Sequence, residues 1–193
     1  MKDSIDSAIF LNHSTYYAVA YRNNVEVRRL VRELSGIKVE TDDDVDVACA
    51  VNAAIQRHAM IVVVFSALTL EAFINFYAIE HLSKRFLERH LDRLGPASKW
   101  LIIPRLVCGK QLDTNGQAYE GLQRLFKTRN ELVHYKGKIT PMSQLRDRDY
   151  SYVEEKDAED AISTVWQAVT ELSRLDTRVT SSWLEDAQTS PFV

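Results

Sequence analysis

Two side chains suited to acid–base and phosphate chemistry lie five positions apart late in the chain. Arg129 carries a permanently charged guanidinium that can bind a phosphate through two parallel hydrogen bonds. His134 can take up or release a proton near neutral pH, and a polar residue, Asn130, directly follows the arginine. These residue types at this spacing favour a site where one group binds a phosphodiester and another transfers protons.

The surrounding residues predict that this site lies at the end of an amphipathic helix. Gly137 is the residue type most favoured just past a helix end, so we expect the helix to stop there. At roughly 100° per residue, Arg129 falls near the middle of the apolar face and His134 lies roughly 140° away. That face comprises Leu122, Leu125, Phe126, Leu132 and Val133. Since an unpaired buried guanidinium is costly, Arg129 requires either a bound phosphate or an acid in a structural salt bridge. In the second case His134 only caps the helix.

The stretch from Arg129 to His134 resembles the R-x4-H motif of the HEPN family (higher eukaryotes and prokaryotes nucleotide-binding), in which a polar residue usually follows the arginine. Residues 99–106 and 119–125 resemble the segments that lead into this motif in bacterial members. Residues 70–75 resemble an earlier helix of the family. The resemblance extends over residues 55–138.

The resemblance implies an all-α, mostly antiparallel helical bundle and a metal-independent endoribonuclease, frequently a toxin or phage-defence effector. The RNA's own 2′-hydroxyl would attack the adjacent phosphate, with His134 as general acid or base and Arg129 stabilising charge on the phosphate oxygens. It also implies a homodimer with a composite site, RNA as the substrate and an antitoxin protein as a further partner. Some family members carry a tyrosine two positions after the histidine, and their antitoxin modifies it. This sequence has Lys136 at that position, so we do not expect that form of control. Some family members are inactive, so the alternative is a non-catalytic module that binds RNA, a nucleotide or a protein.

Glu71 is predicted to meet Arg129 from a neighbouring helix. Its neighbours at one-turn spacing, Ala67 and Asn75, are small or polar, which leaves a groove through an otherwise bulky helix. We therefore assign Glu71 to the catalytic set with Asn75 in support; the alternative is a glutamate on an exposed rim. The residues predicted to bind the substrate are Asn130, Asn75, Lys127, Lys136 and Lys138.

Charge is divided unevenly along the chain, whose formal net charge is −3. Residues 84–138 contain 12 Lys or Arg against 5 Asp or Glu, whereas the rest contains 12 against 22. The basic segment includes Arg129 and His134, which suits an anionic ligand such as RNA. The alternative is that these cations form solvated helix faces.

Composition places the chain among soluble helical proteins. Hydrophobic residues make up 46% and charged residues 26%, and 6 Gly and 4 Pro leave little to interrupt long helices. Cys49 and Cys108 have no paired spacing, so we expect a reduced, cytoplasmic protein without a zinc site or disulfide framework. The first six residues are too polar for a secretory signal, and the uncharged run 59–70 is too short to span a bilayer, so no membrane contact is expected.

Two patterns raise the question of a metal site. Residues 41–44 form a helix N-cap with an acidic first turn, although such acids also bind calcium in loops that carry a glycine and a closing glutamate. Glu131 and His134 have the Glu-x-x-His spacing of di-iron bundles, but the chain has no second copy. We therefore expect no metal and no cofactor.

Apolar periodicity predicts an N-terminal helix, a long central helix and three further helices. Their predicted ranges are 11–34, 45–81 with an extension toward 90, 97–107, 117–135 and 154–179. Trp100 is predicted to be a core anchor. We divide the chain into an N-terminal helix or arm (1–40), a bundle (41–186) and a frayed tail (187–193); the first part could pack on the bundle, cover a partner or swap between subunits.

Overall fold

The computed structural model describes residues 12–134 and 153–189, and within these residues the chain is helical without any strand. The elements are α1 (His13–Gly36), α2 (Asp42–Leu82), a short turn α3 (Lys84–Phe86), a π-helix (Leu87–Leu91), α4 (Pro96–Cys108), α5 (Gln117–Val133), α6 (Glu155–Leu175) and α7 (Ser182–Thr189). The predicted all-α bundle is confirmed.

Four long helices form the bundle, with α1 and α5 antiparallel to α2 and α6. Tyr16 contacts the ring of Phe65, whereas Asn23, further along α1, is hydrogen-bonded to the earlier His58 of α2. On α6, Trp166 donates to the Tyr17 hydroxyl at 2.6 Å and Glu159 pairs with Arg28, so α1 and α6 also run antiparallel. The described part of the N-terminal segment therefore packs on the bundle, where Tyr17 and Val27 are fully buried.

The central helix α2 begins where local chemistry predicts. The Thr41 hydroxyl accepts from the Asp44 backbone, and the Asp44 carboxylate accepts from the Thr41 backbone, which forms a capping box. The acidic run is thus used at a helix N-terminus. The helix is interrupted at Ser83, whose φ of 86° is left-handed, and the chain continues as α3 and the π-helix. The predicted continuation toward residue 90 is therefore helical but not one continuous α-helix.

Among the described residues, α2 is the one helix that has the length and composition to cross a membrane. Its most apolar stretch has a mean hydropathy of 2.0, and half of that stretch is buried within the fold. The central helix of a soluble bundle meets the same criteria, so this property alone does not place α2 in a membrane.

Trp100 on α4 anchors the core, as predicted. Its side chain is fully buried, its indole N–H donates to the Leu70 carbonyl at 3.2 Å, and its ring lies 6.2 Å from that of Phe73. Because the indole N–H is paired, the large ring can be buried without an unsatisfied donor. This contact holds α4 against the middle of α2.

Two helix ends differ from the predictions. The motif helix α5 ends at Val133 and not at Gly137, which lies outside the described residues. At the other end of the chain, the predicted final helix stops at Leu175 and a separate helix, α7, follows. The predicted frayed tail (187–193) is helical up to Thr189, where Ala187 is buried and Gln188 donates to the Tyr17 hydroxyl at 3.3 Å.

Gly121 permits the close approach of α5 to α6. A Cβ at this position would lie 2.7 Å from the Thr164 hydroxyl oxygen, which itself donates to the Asp160 carbonyl. We expect Gly121→Ala to lower the free energy of unfolding by about 1–3 kcal/mol, as overpacking does, measured by urea denaturation. Gly36→Ala, at the last residue of α1, is the control, since nothing lies within 4 Å there and no steric loss is expected. Thr164→Ala should restore part of the loss; no recovery would exclude this contact as the cause.

Candidate functional site

The motif residues lie together at the exposed end of α5. Arg129 is half-buried on the apolar face of the helix, while Asn130 and His134 are exposed. The Arg129 guanidinium donates to the Asn130 side-chain oxygen at 3.0 Å, and the His134 backbone N–H donates to the Asn130 carbonyl at 2.9 Å. The Asn130 side chain therefore contacts the arginine, whereas the bond between Asn130 and His134 is the ordinary backbone hydrogen bond of the last helical turn.

The guanidinium of Arg129 has no carboxylate partner in the described part of the chain. None of the ion pairs formed within residues 12–134 and 153–189 includes it, and its hydrogen bond goes to a neutral amide. Arg129 therefore forms no structural salt bridge within the described residues. A half-buried cation with only a neutral partner is well placed to bind an anion from solution.

Glu71 does not pair with Arg129, contrary to the prediction. Val63 of α2 lines the same cavity as Leu125 and Thr128 of α5. Because the two helices run antiparallel, Glu71 lies about 12 Å beyond Val63 toward the N-terminal end of α5. Arg129 lies near the C-terminal end, so the two groups are at different levels of the bundle. The spacing on α2 could not reveal which level would face the motif.

Asn75 has a different partner from the one predicted. Its side-chain oxygen accepts from the Lys99 ammonium at 3.0 Å, and Lys99 is only 2% exposed. A lysine is rarely this buried, and the sequence contains no signal that identifies it. Asn75 therefore stabilises the start of α4 against α2, and it does not support Glu71 at Arg129.

The predicted lysines are only partly placed by the structure. Lys127 is exposed and lines a cavity of about 250 Å³ between α5 and α6, whereas Lys136 and Lys138 lie outside the described residues. The charged residues that line this cavity are Arg124, Lys127, Glu131, Asp157 and Asp160. Since both signs are present, the cavity is not a basic groove, and substrate binding by Lys127 stays a prediction.

An aromatic pocket of about 380 Å³ lies at the other end of the bundle, between α1, α2 and α7. His13 is buried there, with ring centroids 4.6 Å from Trp183, 5.1 Å from Phe73 and 5.7 Å from Phe76. Burial lowers the pKa of His13 from 6.5 to about 4, so the imidazole is neutral at physiological pH. Sequence analysis did not single out this histidine.

The end of α6 is fixed to α2 beside this pocket. Asp176 accepts from the Tyr77 hydroxyl at 2.7 Å and from the Arg178 guanidinium at 2.6 Å. The hydrogen bonds from Arg178 hold the pKa of the Asp176 carboxyl well below its usual value, and burial raises the pKa of Tyr77. The buried carboxylate is therefore fully compensated and serves to join the two helices.

Within the described residues, no group of three or more His, Cys, Asp or Glu side chains is placed to hold a metal ion. Glu131 and His134, the residues of the di-iron alternative, are both exposed at the end of α5. Comparisons of the chain with protein-family models, with characterised proteins and with solved structures find no match.

Proposed function

We propose that this protein is a metal-independent endoribonuclease of the HEPN type, acting in the cytoplasm in a toxin–antitoxin or phage-defence role. The observation that carries the proposal is the placement of Arg129. Its guanidinium lies on an apolar helix face without a carboxylate partner in the described residues, and it donates to the side chain of Asn130. This arrangement leaves one cation without an acidic partner among these residues and one exposed imidazole at the same end of α5.

The chemistry follows from these two groups. Arg129 binds the scissile phosphate and stabilises the charge that develops on its oxygens. His134 removes the proton from the RNA's 2′-hydroxyl, or returns one to the leaving 5′-oxygen, which yields a 2′,3′-cyclic phosphate. Asn130 keeps the guanidinium oriented through its side-chain oxygen.

The proposal includes a homodimer in which two motif helices form one composite cleft. One chain presents a single exposed histidine at this site, whereas this reaction needs both a base and an acid. A stripe of partly exposed apolar residues on α2 supports a second copy, because these side chains do not belong to the core that the described residues form. The stripe comprises Ile61, Val64, Leu68 and Ala72.

The test is incubation of the purified full chain with total RNA and with a labelled oligoribonucleotide, in the presence of excess EDTA. We expect cleavage that persists in the chelator and leaves 2′,3′-cyclic phosphate ends, detected by end-group analysis. A substrate with 2′-deoxyribose at the cut position should resist cleavage. Binding of RNA without any cleavage would overturn the nuclease and identify the alternative, a non-catalytic binding module.

A further inference from the structure

A basic surface with an exposed aromatic residue lies at the end of the bundle opposite to Arg129. It is formed by α3 and the π-helix, which follow the end of α2, about 29 Å beyond the level of Val63 along that helix. We call Arg85, Phe86, Arg89 and His90 the π-helix patch; together with Leu82 and Ser83 they line a surface pocket of about 250 Å³. The proposed reaction does not use any of these residues.

The backbone of this segment brings the four side chains into two adjacent rows. Each row joins residues four positions apart, Arg85 with Arg89 and Phe86 with His90, which are neighbours on a helix surface. The rings of Phe86 and His90 have centroids 4.9 Å apart, and Phe86 is 37% exposed. An aromatic pair thus lies open to solvent beside two guanidinium groups.

Among the described residues, the two arginines of the π-helix patch lack the acidic partner that several other arginines of the fold have. Arg29 pairs with Glu26 and Glu33, and Arg174 and Arg178 each pair with a nearby acid. Arg85 and Arg89 take part in no ion pair within residues 12–134 and 153–189, while the neighbouring acid Glu88 pairs with Lys84 at 3.7 Å. The patch therefore carries uncompensated positive charge inside the segment that is most basic in the sequence.

We propose that the π-helix patch binds single-stranded RNA, with phosphates at Arg85 and Arg89 and an unpaired base stacked on Phe86. This inference rests on the proposed function, since it takes RNA as the substrate. Proteins bind single-stranded nucleic acids through cationic side chains along the path of the phosphate backbone and aromatic side chains on which the bases stack. An RNA that contacts both the patch and Arg129 must be long enough to follow the bundle from end to end.

The test measures fluorescence anisotropy of a labelled 20-nucleotide oligouridine with full-length protein carrying His134→Ala, so that no cleavage interferes. Adding Arg85→Ala and Arg89→Ala should weaken binding and reduce the slope of log affinity against log salt by about 1.4, as expected for two lost phosphate contacts. Phe86→Leu should weaken binding about 5- to 100-fold without changing that slope. Phe86→Trp should retain the wild-type affinity, because tryptophan can also stack on a base. The matched control is Arg32→Ala with Arg57→Ala, which removes two arginines from exposed positions on α1 and α2 that also form no ion pair within the described residues.

The outcomes separate this inference from the proposed function. If the wild-type chain cleaves RNA and the patch variants bind and cleave it equally well, the patch is excluded as an RNA-binding site and the nuclease proposal stands. If the patch variants lose RNA binding while the wild-type chain cleaves nothing, the patch is supported and the nuclease is excluded. If the control double variant loses as much RNA affinity as the patch double variant, binding depends on net charge alone and the inference is overturned. Loss of binding to phosphatidylserine vesicles without loss of RNA binding would assign the patch to a membrane surface and overturn the inference.

Discussion

His134→Ala is expected to lower the rate of RNA cleavage at least about 100-fold, the usual contribution of a positioned acid or base. His134 is exposed at the end of α5, and its backbone N–H, which the substitution retains, makes the hydrogen bond to Asn130. The variant should therefore fold as the wild type does, with an unchanged melting temperature. Single-turnover cleavage of a labelled oligoribonucleotide provides the measurement.

The control is His81→Ala. This variant removes an exposed histidine at the C-terminal end of α2, at the other end of the bundle from His134, and should leave the cleavage rate unchanged. Arg129→Lys is a second, sharper variant. It retains the positive charge but loses the planar, two-pronged donor geometry, so a large loss of rate would show that bidentate phosphate binding matters and not charge alone. Full activity of His134→Ala would exclude the imidazole from proton transfer.

The stability of the protein is expected to decrease by roughly 3 kcal/mol between pH 6.5 and pH 4 because of His13 alone. Burial lowers the pKa of His13 to about 4 in the folded chain, whereas the unfolded chain retains a value near 6.5. The unfolded state therefore binds a proton first as the pH falls. The stabilising contribution is complete above pH 6.5, is lost as the pH falls toward 4, and does not change further below that value.

Urea denaturation at pH 7 and pH 4 measures this effect, with His13→Phe as the matched variant. Phenylalanine fills the space between Phe73, Phe76 and Trp183 with another ring and cannot titrate. Other titrating groups, such as Asp176, contribute equally to both proteins, so they cancel in the difference. The wild type should lose roughly 3 kcal/mol more than His13→Phe between the two pH values. Equal losses would mean that His13 is accessible to protons in the folded state.

The helices were predictable where their signals are local. The capping box of Thr41 and Asp44 lies within four residues, and the corresponding box of Glu154 and Asp157 starts α6 where the sequence predicted a helix. Apolar periodicity on these long segments also predicted the bundle and the buried position of Trp100. Such signals depend on backbone chemistry within one or two turns, which the sequence contains in full.

Helix ends without a local signal could not be predicted. The interruption at Ser83 and the short π-helix have no glycine or proline to mark them. The C-terminal helix α7 was missed because its order depends on distant partners, such as the contact of Gln188 with Tyr17. For residues so far apart in the chain, side-chain burial and not local propensity determines the structure.

The sequence by itself determined that residues 12–134 and 153–189 form a helical bundle and that Arg129, Asn130 and His134 share one helix end, because these properties depend on residues a few positions apart. Only the tertiary structure decided which groups meet across helices: Asn75 meets the buried Lys99, while Glu71 lies at a different level from Arg129. The physical reason is that the packing of α2 against α4 and α5 fixes their relative position along the bundle axis. A shift of one turn, about 5.4 Å, is enough to exchange one partner for another, and no periodicity within a single helix encodes it.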